Sequence, residues 1–234
     1  MDISDSGSAT SSVYTKVSQS LEREDSADME QVHTIRRRSG RTNVKDEFGD
    51  YEEDWWMVPF KSYYTQLAWG RFCSIVQPIL GKTFSGSKIL PNLWIANHES
   101  TCDLQSLKDR NIKHIICAVL GLTARFPNDF HYYMLRIRDT NEDIYQYFDY
   151  IADLIQKCLS KNEPVLVHCR HGVSRSVTLV AAYLIKFCNM TVKEAIEFIQ
   201  QSRQCANPIP PFRHQLASFE ENCRSDKARL RSLQ

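Results

Sequence analysis

The spacing of apolar residues after residue 85 alternates between two patterns, one typical of strands and one typical of helices. Short apolar or alternating runs predict strands at 88–90, 93–95, 113–119, 132–137 and 164–167. Longer stretches with apolar residues at helical spacing predict helices at 103–110, 144–159, 175–188, 191–202 and 212–223. Strands that alternate with helices in this way predict an α/β fold, in which a central mixed sheet is flanked by helices.

Turn and cap residues indicate where several of these elements begin and end. Pro91 and Asn92 lie between the first two predicted strands and indicate a turn, so these strands are expected to form a small hairpin. Thr191 and Glu194 have the spacing of a capping box and predict the start of a helix. The proline-rich run 207–211 predicts a rigid loop before the last helix.

Residues 1–50 are predicted to form a disordered tail, because they hold many serines, an acidic stretch and few large apolar residues. Such a segment cannot bury enough apolar surface to offset the entropy that it would lose on ordering. A cluster of three arginines at 36–38 precedes Ser39. The cluster is either an ordinary solvated patch or a site at which a basophilic kinase phosphorylates Ser39.

Residues 51–84 are predicted to form a helical extension between the tail and the main domain. Apolar residues recur at helical spacing from residue 58 to residue 80, with Asp54 as a candidate cap and Gly81 as a stop. This helix either packs on the following domain or binds a partner or a membrane interface. The main domain is expected to span residues 85–225, followed by a short tail at 226–234.

Composition and charge narrow the class of protein. The net charge of +1 gives no signature of nucleic-acid binding, and no nucleic-acid partner is predicted. The longest apolar run, 115–122, is too short to span a bilayer, and no signal peptide is apparent. None of the eight cysteines forms a C-x-x-C pair, so neither a zinc site nor another cofactor is expected. Reduced cysteines indicate the cytoplasm, with the nucleus as an alternative, and the oligomeric state is left open.

The most informative run is 168–176, His-Cys-Arg-His-Gly-Val-Ser-Arg-Ser, which joins the last predicted strand to the helix that follows it. Successive backbone N–H groups in such a loop point into one concavity, and the helix dipole adds positive potential. This geometry suits a phosphate-sized dianion, which Arg175 can hold with two hydrogen bonds. The same field would stabilise the thiolate of Cys169, which then lies beneath the bound phosphoryl group as a nucleophile.

This run resembles the signature His-Cys-x-x-Gly-x-Ser-Arg-Ser of the dual-specificity branch of the cysteine-dependent protein phosphatases, and the resemblance extends over about residues 85–222. It implies a protein-tyrosine-phosphatase-like fold and a reaction in which Cys169 attacks phosphorus and forms a cysteinyl phosphate. Arg175 and the loop N–H groups would hold the equatorial oxygens, and Ser176 would hydrogen-bond the sulfur as it leaves. The short N-terminal extension points to the small, atypical members of the family.

The leaving oxygen needs a proton, and Asp139 is the candidate general acid. It follows the strand predicted at 132–137, in the place that the general-acid loop takes in the resembled family. The alternative is that Asp139 only caps a helix, a common role for aspartate. Asp143 is better placed for that capping, and Asp143 and Glu142 are the fallback candidates for the acid.

The other residues near the nucleophile are expected to shape or support the loop. They are His168, Arg170, His171, Gly172, Val173 and Ser174, with Asn207 as a structural tether between the loop and a strand. Gly172 gives the backbone freedom where a side chain would crowd the phosphate. His168 is expected to order the loop through hydrogen bonds, and Arg170 and His171 to line its rim. Cys117 either resolves oxidised Cys169 as a disulfide or is a buried spectator thiol.

Three functions fit these residues. The leading one is a protein phosphatase for phosphotyrosine and phosphoserine or phosphothreonine, whose substrate is a phosphoprotein such as a kinase. The second is a phosphatase for non-protein phosphates, such as phosphoinositides or RNA 5′ ends. Relatives with those substrates tend to carry more basic loop residues than Arg170, or asparagine in the place of Ser174. The third is an inactive phosphate-binding adaptor, against which the intact Cys169, Arg175 and Asp139 argue.

Overall fold

The computed structural model describes residues 84–140 and 142–232, together with the single residue 68. The strands are β1 (Gly86–Leu90), β2 (Leu93–Ala96), β3 (His114–Ala118), β4 (His131–Leu135) and β5 (Val165–His168). The α-helices are α1 (Leu104–Asp109), α2 (Phe148–Ser160), α3 (Arg175–Cys188), α4 (Val192–Ser202) and α5 (Pro210–Ser232). Short 3-10 helices occupy Glu99–Cys102 and Tyr145–Tyr147.

The strands form one five-stranded mixed sheet in the order β1-β2-β5-β3-β4. The pair β1–β2 is antiparallel, whereas β2–β5, β5–β3 and β3–β4 are parallel. The central strand β5 is buried along its whole length. Because the parallel strands share one direction, their carboxyl ends meet at one edge of the sheet, where ligands bind in open α/β sheets. The predicted fold class, a mixed sheet with flanking helices, is confirmed.

The core forms around α3, whose residues are almost all buried. This helix contacts α2, α4 and α5, and its first turn lies against the end of β5. Tyr183 of α3 is fully buried, and its hydroxyl donates a hydrogen bond to Gln156 Oε1 of α2 at 3.2 Å. Burying a polar group without a partner is costly, so this bond lets an aromatic side chain fill the helix interface. The first residue of α3, Arg175, is therefore held on a rigid element.

Several local predictions from the sequence are confirmed. The pair β1–β2 is a hairpin whose turn contains Asn92 in the left-handed conformation, with φ of 63°. The capping box at the start of α4 is complete, since the Thr191 hydroxyl accepts from the Glu194 N–H and the Glu194 carboxylate accepts from the Thr191 N–H. The helix predicted at 103–110 is present as α1, and Asp103 caps it by accepting from the Ser106 N–H. These signals are local, which is why the sequence alone shows them.

Two predicted boundaries of the last helix are wrong. Pro210 and Pro211 form the first turn of α5 and not the end of a loop, because a helix leaves its first N–H groups unpaired and proline needs no partner there. The helix also continues to Ser232 instead of ending at Cys223, through most of the predicted tail. Lys227 explains the extension, since its ammonium donates to the Lys186 carbonyl at 2.7 Å and to Asn189.

Some predictions fall on residues that the structure does not describe. They are the tail at 1–50, with Ser39, and the helical extension at 51–84, of which only Ala68 and Phe84 are described. In the part of the chain that is described, no helix combines the length and the apolar character needed to cross a membrane.

Candidate active site

A tight loop, 169–174, connects β5 to α3 at the carboxyl edge of the sheet. Gly172 takes φ of +69°, a conformation that disfavours any residue with a side chain. A Cβ built there would lie 2.7 Å from the Ala96 carbonyl oxygen and 2.5 Å from a guanidinium nitrogen of Arg203. The glycine is therefore required by backbone conformation and by close packing beneath the loop, which adds to the reason that the sequence indicated.

Cys169 lies at the base of this loop, with 1% of its surface exposed. Its Sγ accepts a hydrogen bond from the Gly172 N–H and another from the Ser176 hydroxyl, both at 3.2 Å. Gly172 belongs to the loop and Ser176 to the first turn of α3, where the helix dipole is positive. Donors and dipole together stabilise negative charge on the sulfur, which is the form that attacks phosphorus. Ser176 is also placed to stabilise the sulfur when it leaves.

Arg175 connects the loop to the segment that carries the candidate acid. Its side chain is buried, and one terminal nitrogen donates to the Ile137 carbonyl at 3.1 Å. Its Nε lies 3.6 Å from Asp139 Oδ2 and, within the described residues, makes no hydrogen bond. A buried guanidinium that is fixed on one side, and whose Nε–H on the other side faces a carboxylate without a hydrogen bond, suits a bound phosphate. The structure thus brings Asp139 beside Arg175, with 35% of the Asp139 side chain exposed.

The two fallback acids are placed differently. Glu142 is engaged with Arg138, whose backbone N–H and Nε both donate to its carboxylate. Asp143 is exposed, and its predicted capping role is wrong. The N–H groups of Ile144 and Tyr145 donate instead to Oε1 of Gln215, at 2.9 and 2.8 Å. Gln215 comes from α5, so a distant side chain caps this turn, and the sequence around Asp143 holds no signal of it.

Arg203 is a functional candidate that no sequence motif indicates. It follows α4 directly, and only 7% of its surface is exposed. Its Nε donates to the Gly172 carbonyl at 2.5 Å, and one terminal nitrogen donates to the His171 carbonyl at 3.1 Å. The other terminal nitrogen donates to the Ser85 carbonyl at 3.1 Å. Arg203 holds the two loop carbonyl groups on the underside of the loop. The loop N–H groups can then point to the opposite side, toward a phosphate. An isolated arginine after a helix gives no sign of this role.

His168 lies beneath the loop and is fully buried. Burial, and then the neighbouring His98, lower the pKa of His168 to about 3, so its imidazole is neutral at physiological pH. The His98 ring stacks on it with 6.0 Å between centroids. Within the described residues, Nδ1 of His168 has no hydrogen-bond partner. A neutral imidazole supports a loop without adding charge, in line with a packing role and not with proton transfer.

The rim and the outer side of the loop are braced by the segment before α5. The Asn207 N–H donates to the Val173 carbonyl at 2.8 Å, and the Ile209 N–H donates to the Ser174 hydroxyl at 3.3 Å. Asn207 therefore lies where a tether was predicted, although its backbone makes the contact. His171 is exposed at the rim, and its pKa is lowered by partial burial, then by Arg170 and Arg175.

Cys117 lies in β3, in register with His168 of the neighbouring β5, and so beside the base of the loop. It is buried, and burial raises its pKa to about 12. A thiol that stays protonated is a poor nucleophile, because only the thiolate attacks a sulfenic acid or a disulfide. This environment favours the spectator role for Cys117 over the resolving one.

Comparisons with known proteins identify the family of this chain. A family model described as "Dual specificity phosphatase, catalytic domain" matches residues 93–222. "Dual specificity protein phosphatase 1B" of Arabidopsis thaliana is 36% identical over 137 residues, which are 58% of this chain and 82% of that protein. The human "Dual specificity protein phosphatase 9" is 33% identical over 147 residues, which are 60% of this chain and 37% of that protein.

A solved structure shows the same fold. The crystal structure of human tyrosine phosphatase-like serine/threonine/tyrosine-interacting protein has a TM-score of 0.56 and 32% identity to this chain. The match covers 58% of this chain and 95% of that one. The residues matched by the family model begin with β2, include the loop at 169–174 and end within α5.

Proposed function

Because the chain belongs to the dual specificity phosphatase family and is a cysteine-dependent phosphatase, we propose that it hydrolyses both phosphotyrosine and phosphoserine or phosphothreonine on proteins. The observation that carries the proposal is the placement of Cys169, Arg175 and Asp139 around one loop. The names of the similar Arabidopsis and human proteins support the same substrate classes.

The first step transfers the phosphoryl group to the enzyme. The Cys169 thiolate attacks phosphorus in line, so that a sulfur–phosphorus bond forms as the bond to the leaving oxygen breaks. Arg175 and the loop N–H groups hold the equatorial oxygens, whose charge is spread in the transition state. Asp139 gives its proton to the leaving oxygen, which departs as a serine, threonine or tyrosine hydroxyl.

The second step returns the enzyme to its starting state. Water attacks phosphorus, and the Asp139 carboxylate accepts a proton from that water as the sulfur–phosphorus bond breaks. The Ser176 hydroxyl, 3.2 Å from the sulfur, donates a hydrogen bond that stabilises the departing thiolate. Inorganic phosphate then leaves, and Arg175 again faces Asp139.

The position of the acid supports the acceptance of short as well as long phosphorylated side chains. Asp139 must reach the leaving oxygen, and about a third of its side chain is exposed, at 35%. The ester oxygen is then protonated close to the surface, within reach of phosphothreonine as well as phosphotyrosine. His171 is exposed beside it, and Arg170 adds positive charge, which favours phosphoproteins with a second phosphate or flanking acids.

The test is kcat/KM on matched peptides that carry phosphotyrosine, phosphothreonine or both, alongside a soluble phosphoinositide, at two salt concentrations. We expect turnover of both singly phosphorylated peptides and a preference for the doubly phosphorylated one that weakens at high salt. Cys169→Ser is the inactive control. A phosphoinositide preferred by more than about tenfold, or about 1.4 kcal/mol of transition-state discrimination, would instead assign a lipid substrate.

Phosphate binding without turnover of any of these substrates would indicate an adaptor. A substrate-trapping pull-down with Asp139→Ala then identifies which phosphoproteins the site retains. That the substrate is a kinase, and that the enzyme works in the cytoplasm or nucleus, stay predictions from the sequence.

A further inference from the structure

A cluster of three potential metal ligands lies at the edge of the sheet opposite the active-site loop. His114 begins β3, Cys158 lies near the end of α2, and Glu163 lies in the turn between α2 and β5. One ligand atom from each, a ring nitrogen, a sulfur and a carboxylate oxygen, lie within 4.8 Å of one another. Since β3 and β5 are parallel and Cys169 follows the carboxyl end of β5, this cluster and the active site are at opposite ends of the strands.

The backbone holds the three residues together. The Glu163 N–H donates to the Cys158 carbonyl at 2.9 Å, which closes the end of α2. The His114 N–H donates to the Pro164 carbonyl at 3.2 Å, which ties the start of β3 to the residue after Glu163. The spacing of the ligands is therefore set by main-chain hydrogen bonds at a helix end and a strand start. A site whose backbone is already fixed loses less entropy when it binds a ligand.

The ligand types and distances suit zinc. Zinc in proteins is bound tetrahedrally by histidine nitrogen, cysteine sulfur and carboxylate oxygen, at about 2.0–2.3 Å, which puts ligand atoms about 3.3–3.8 Å apart. His114 Nε2 and Glu163 Oε2 are 2.8 Å apart and form an ion pair. Shifts of about 1 Å in side-chain positions would bring all three atoms to zinc distances. Such shifts are available, because 41% of the Glu163 side chain is exposed.

We propose that His114, Cys158 and Glu163 form a zinc site with three protein ligands and a fourth position that is open to solvent. His114 and Cys158 are buried, and Glu163 lies between them and the surface, so the ion would enter past the carboxylate. No cysteines form a C-x-x-C pair, which is why no zinc site was expected from the sequence. This site uses one cysteine and residues far apart in the chain, so that rule does not apply to it.

The surroundings of His114 fit a ligand role. When Nε2 binds a metal, Nδ1 carries the proton, and ligating histidines usually donate that proton to a further group. Nδ1 of His114 lies 3.5 Å from the Tyr133 hydroxyl on β4, which is placed to accept it. Burial, and then Glu163, raise the pKa of the Cys158 thiol to about 11, so zinc would displace a proton from it. The positive charges of the nearby Lys157 and Lys161 disfavour a cation. The Cys158 thiolate forms only when the ion binds, and its negative charge, together with that of Glu163, then offsets the two lysines.

Zinc binding would cross-link three parts of the fold. The ion would join the start of β3, the end of α2 and the turn that leads into β5. A ligand that binds only the folded state stabilises it in proportion to the logarithm of its concentration over its dissociation constant. Zinc is thus expected to raise the melting temperature without contacting the loop at 169–174.

The test is titration of Zn²⁺ into the full chain with Cys169→Ser, which removes the active-site thiolate as a competing ligand. Competition with a chromophoric chelator gives the affinity and the stoichiometry. We expect one saturable site per chain and a rise in melting temperature. Glu163→Gln, at a half-exposed position, is expected to weaken binding about 100-fold or more, and Tyr133→Phe about tenfold.

Two further measurements separate this site from chance binding to other side chains. Co²⁺ bound at the site should show thiolate-to-cobalt charge-transfer absorption that Cys158→Ala removes. The matched controls Glu197→Gln, His214→Gln and Cys223→Ala should leave both the Zn²⁺ affinity and the Co²⁺ spectrum unchanged. The proposal is overturned by the absence of a saturable site, by binding that Glu163→Gln and Cys158→Ala do not weaken, or by equal losses in the controls.

Discussion

Arg203→Met removes the guanidinium that holds the phosphate-binding loop from below while keeping an unbranched side chain of similar length. In the wild type, this group donates to the carbonyls of Gly172, His171 and Ser85. The methionine cannot donate, so the two loop carbonyls and that of Ser85 lose their partner. The variant therefore tests whether the loop keeps its shape by itself or depends on a residue outside the signature.

The expected loss of stability follows from these contacts. A hydrogen bond to a charged donor contributes about 1.5–3 kcal/mol, but bonds that share one guanidinium are not additive. We expect the free energy of unfolding to fall by about 3 kcal/mol. A typical domain has a free energy of unfolding of about 5–15 kcal/mol, which is larger than this loss. The variant should therefore fold at 25 °C, and its activity can be measured on native protein. Urea unfolding measures the change.

The expected loss of activity follows from the position of the same bonds. If the Gly172 and His171 carbonyls turn, the N–H groups that face the phosphate turn with them. Loss of one preorganised donor costs about 10²–10³ in kcat, so we expect kcat to fall about 100-fold. Binding of inorganic phosphate should weaken as well, since it uses the same donors. Arg203→Lys should recover part of the loss, because a lysine can still donate to one of the carbonyls.

Arg224→Met is the matched control, since Arg224 is an exposed arginine that pairs with Glu220 on α5. It should change neither kcat nor phosphate binding by more than about threefold, as is usual for a surface ion pair. The reasoning is refuted if Arg203→Met unfolds more easily but keeps kcat within about threefold of the wild type. Such a result would show that the loop holds its N–H groups in place without Arg203.

The remaining predictions concern residues that the sequence already indicated. Cys169→Ser should abolish hydrolysis of an aryl phosphate in a colorimetric assay while phosphate binding persists, because a serine hydroxyl stays protonated; activity within tenfold of the wild type would remove Cys169 from this role. Arg175→Lys should lower kcat by about 10² or more, since an ammonium cannot replace the two-pronged guanidinium, and near-normal kinetics would place the phosphate contact elsewhere. Asp139→Asn should lower kcat by about 10²–10⁴, and less for substrates with good leaving groups; equal losses across a series of leaving-group pKa values would move attention to Asp143. After mild peroxide treatment, mass spectrometry should show oxidation at Cys169 and no disulfide between Cys169 and Cys117. Burial raises the pKa of the Cys117 thiol to about 12 and so keeps it protonated; a 117–169 disulfide would contradict this.

The parts of the fold that could be predicted are those whose physical cause is local. The strand order along the chain follows from apolar runs, and the capping box at Thr191 needs only a residue three positions later. The run 168–176 combines a strand end, a loop and a helix start, so its chemistry could be assigned before the structure. In each case, the residues that matter are neighbours in the sequence.

The parts that were missed depend on residues far apart in the chain. Gln215 caps a turn that lies about 70 residues before it, where a nearby aspartate had been expected to do so. Lys227 extends the last helix by binding the end of α3. Arg203 holds a loop about 30 residues before it. A polar side chain in a sequence has many possible partners, and only the fold selects one, so no local pattern could have shown these contacts.

The same distinction explains why the site at one end of the parallel strands could be predicted from the sequence, whereas the site proposed at the other end could not. At the carboxyl end, chemistry depends on backbone N–H groups and a helix dipole, which require consecutive residues and hence leave a continuous signature around Cys169. At the amino end, His114, Cys158 and Glu163 meet because a helix end, a turn and a strand start are hydrogen-bonded to one another. Side chains supply all the ligands there, so no consecutive run is required. Sites built from side chains alone are therefore found from the fold, whereas sites built on the backbone can be found from the sequence.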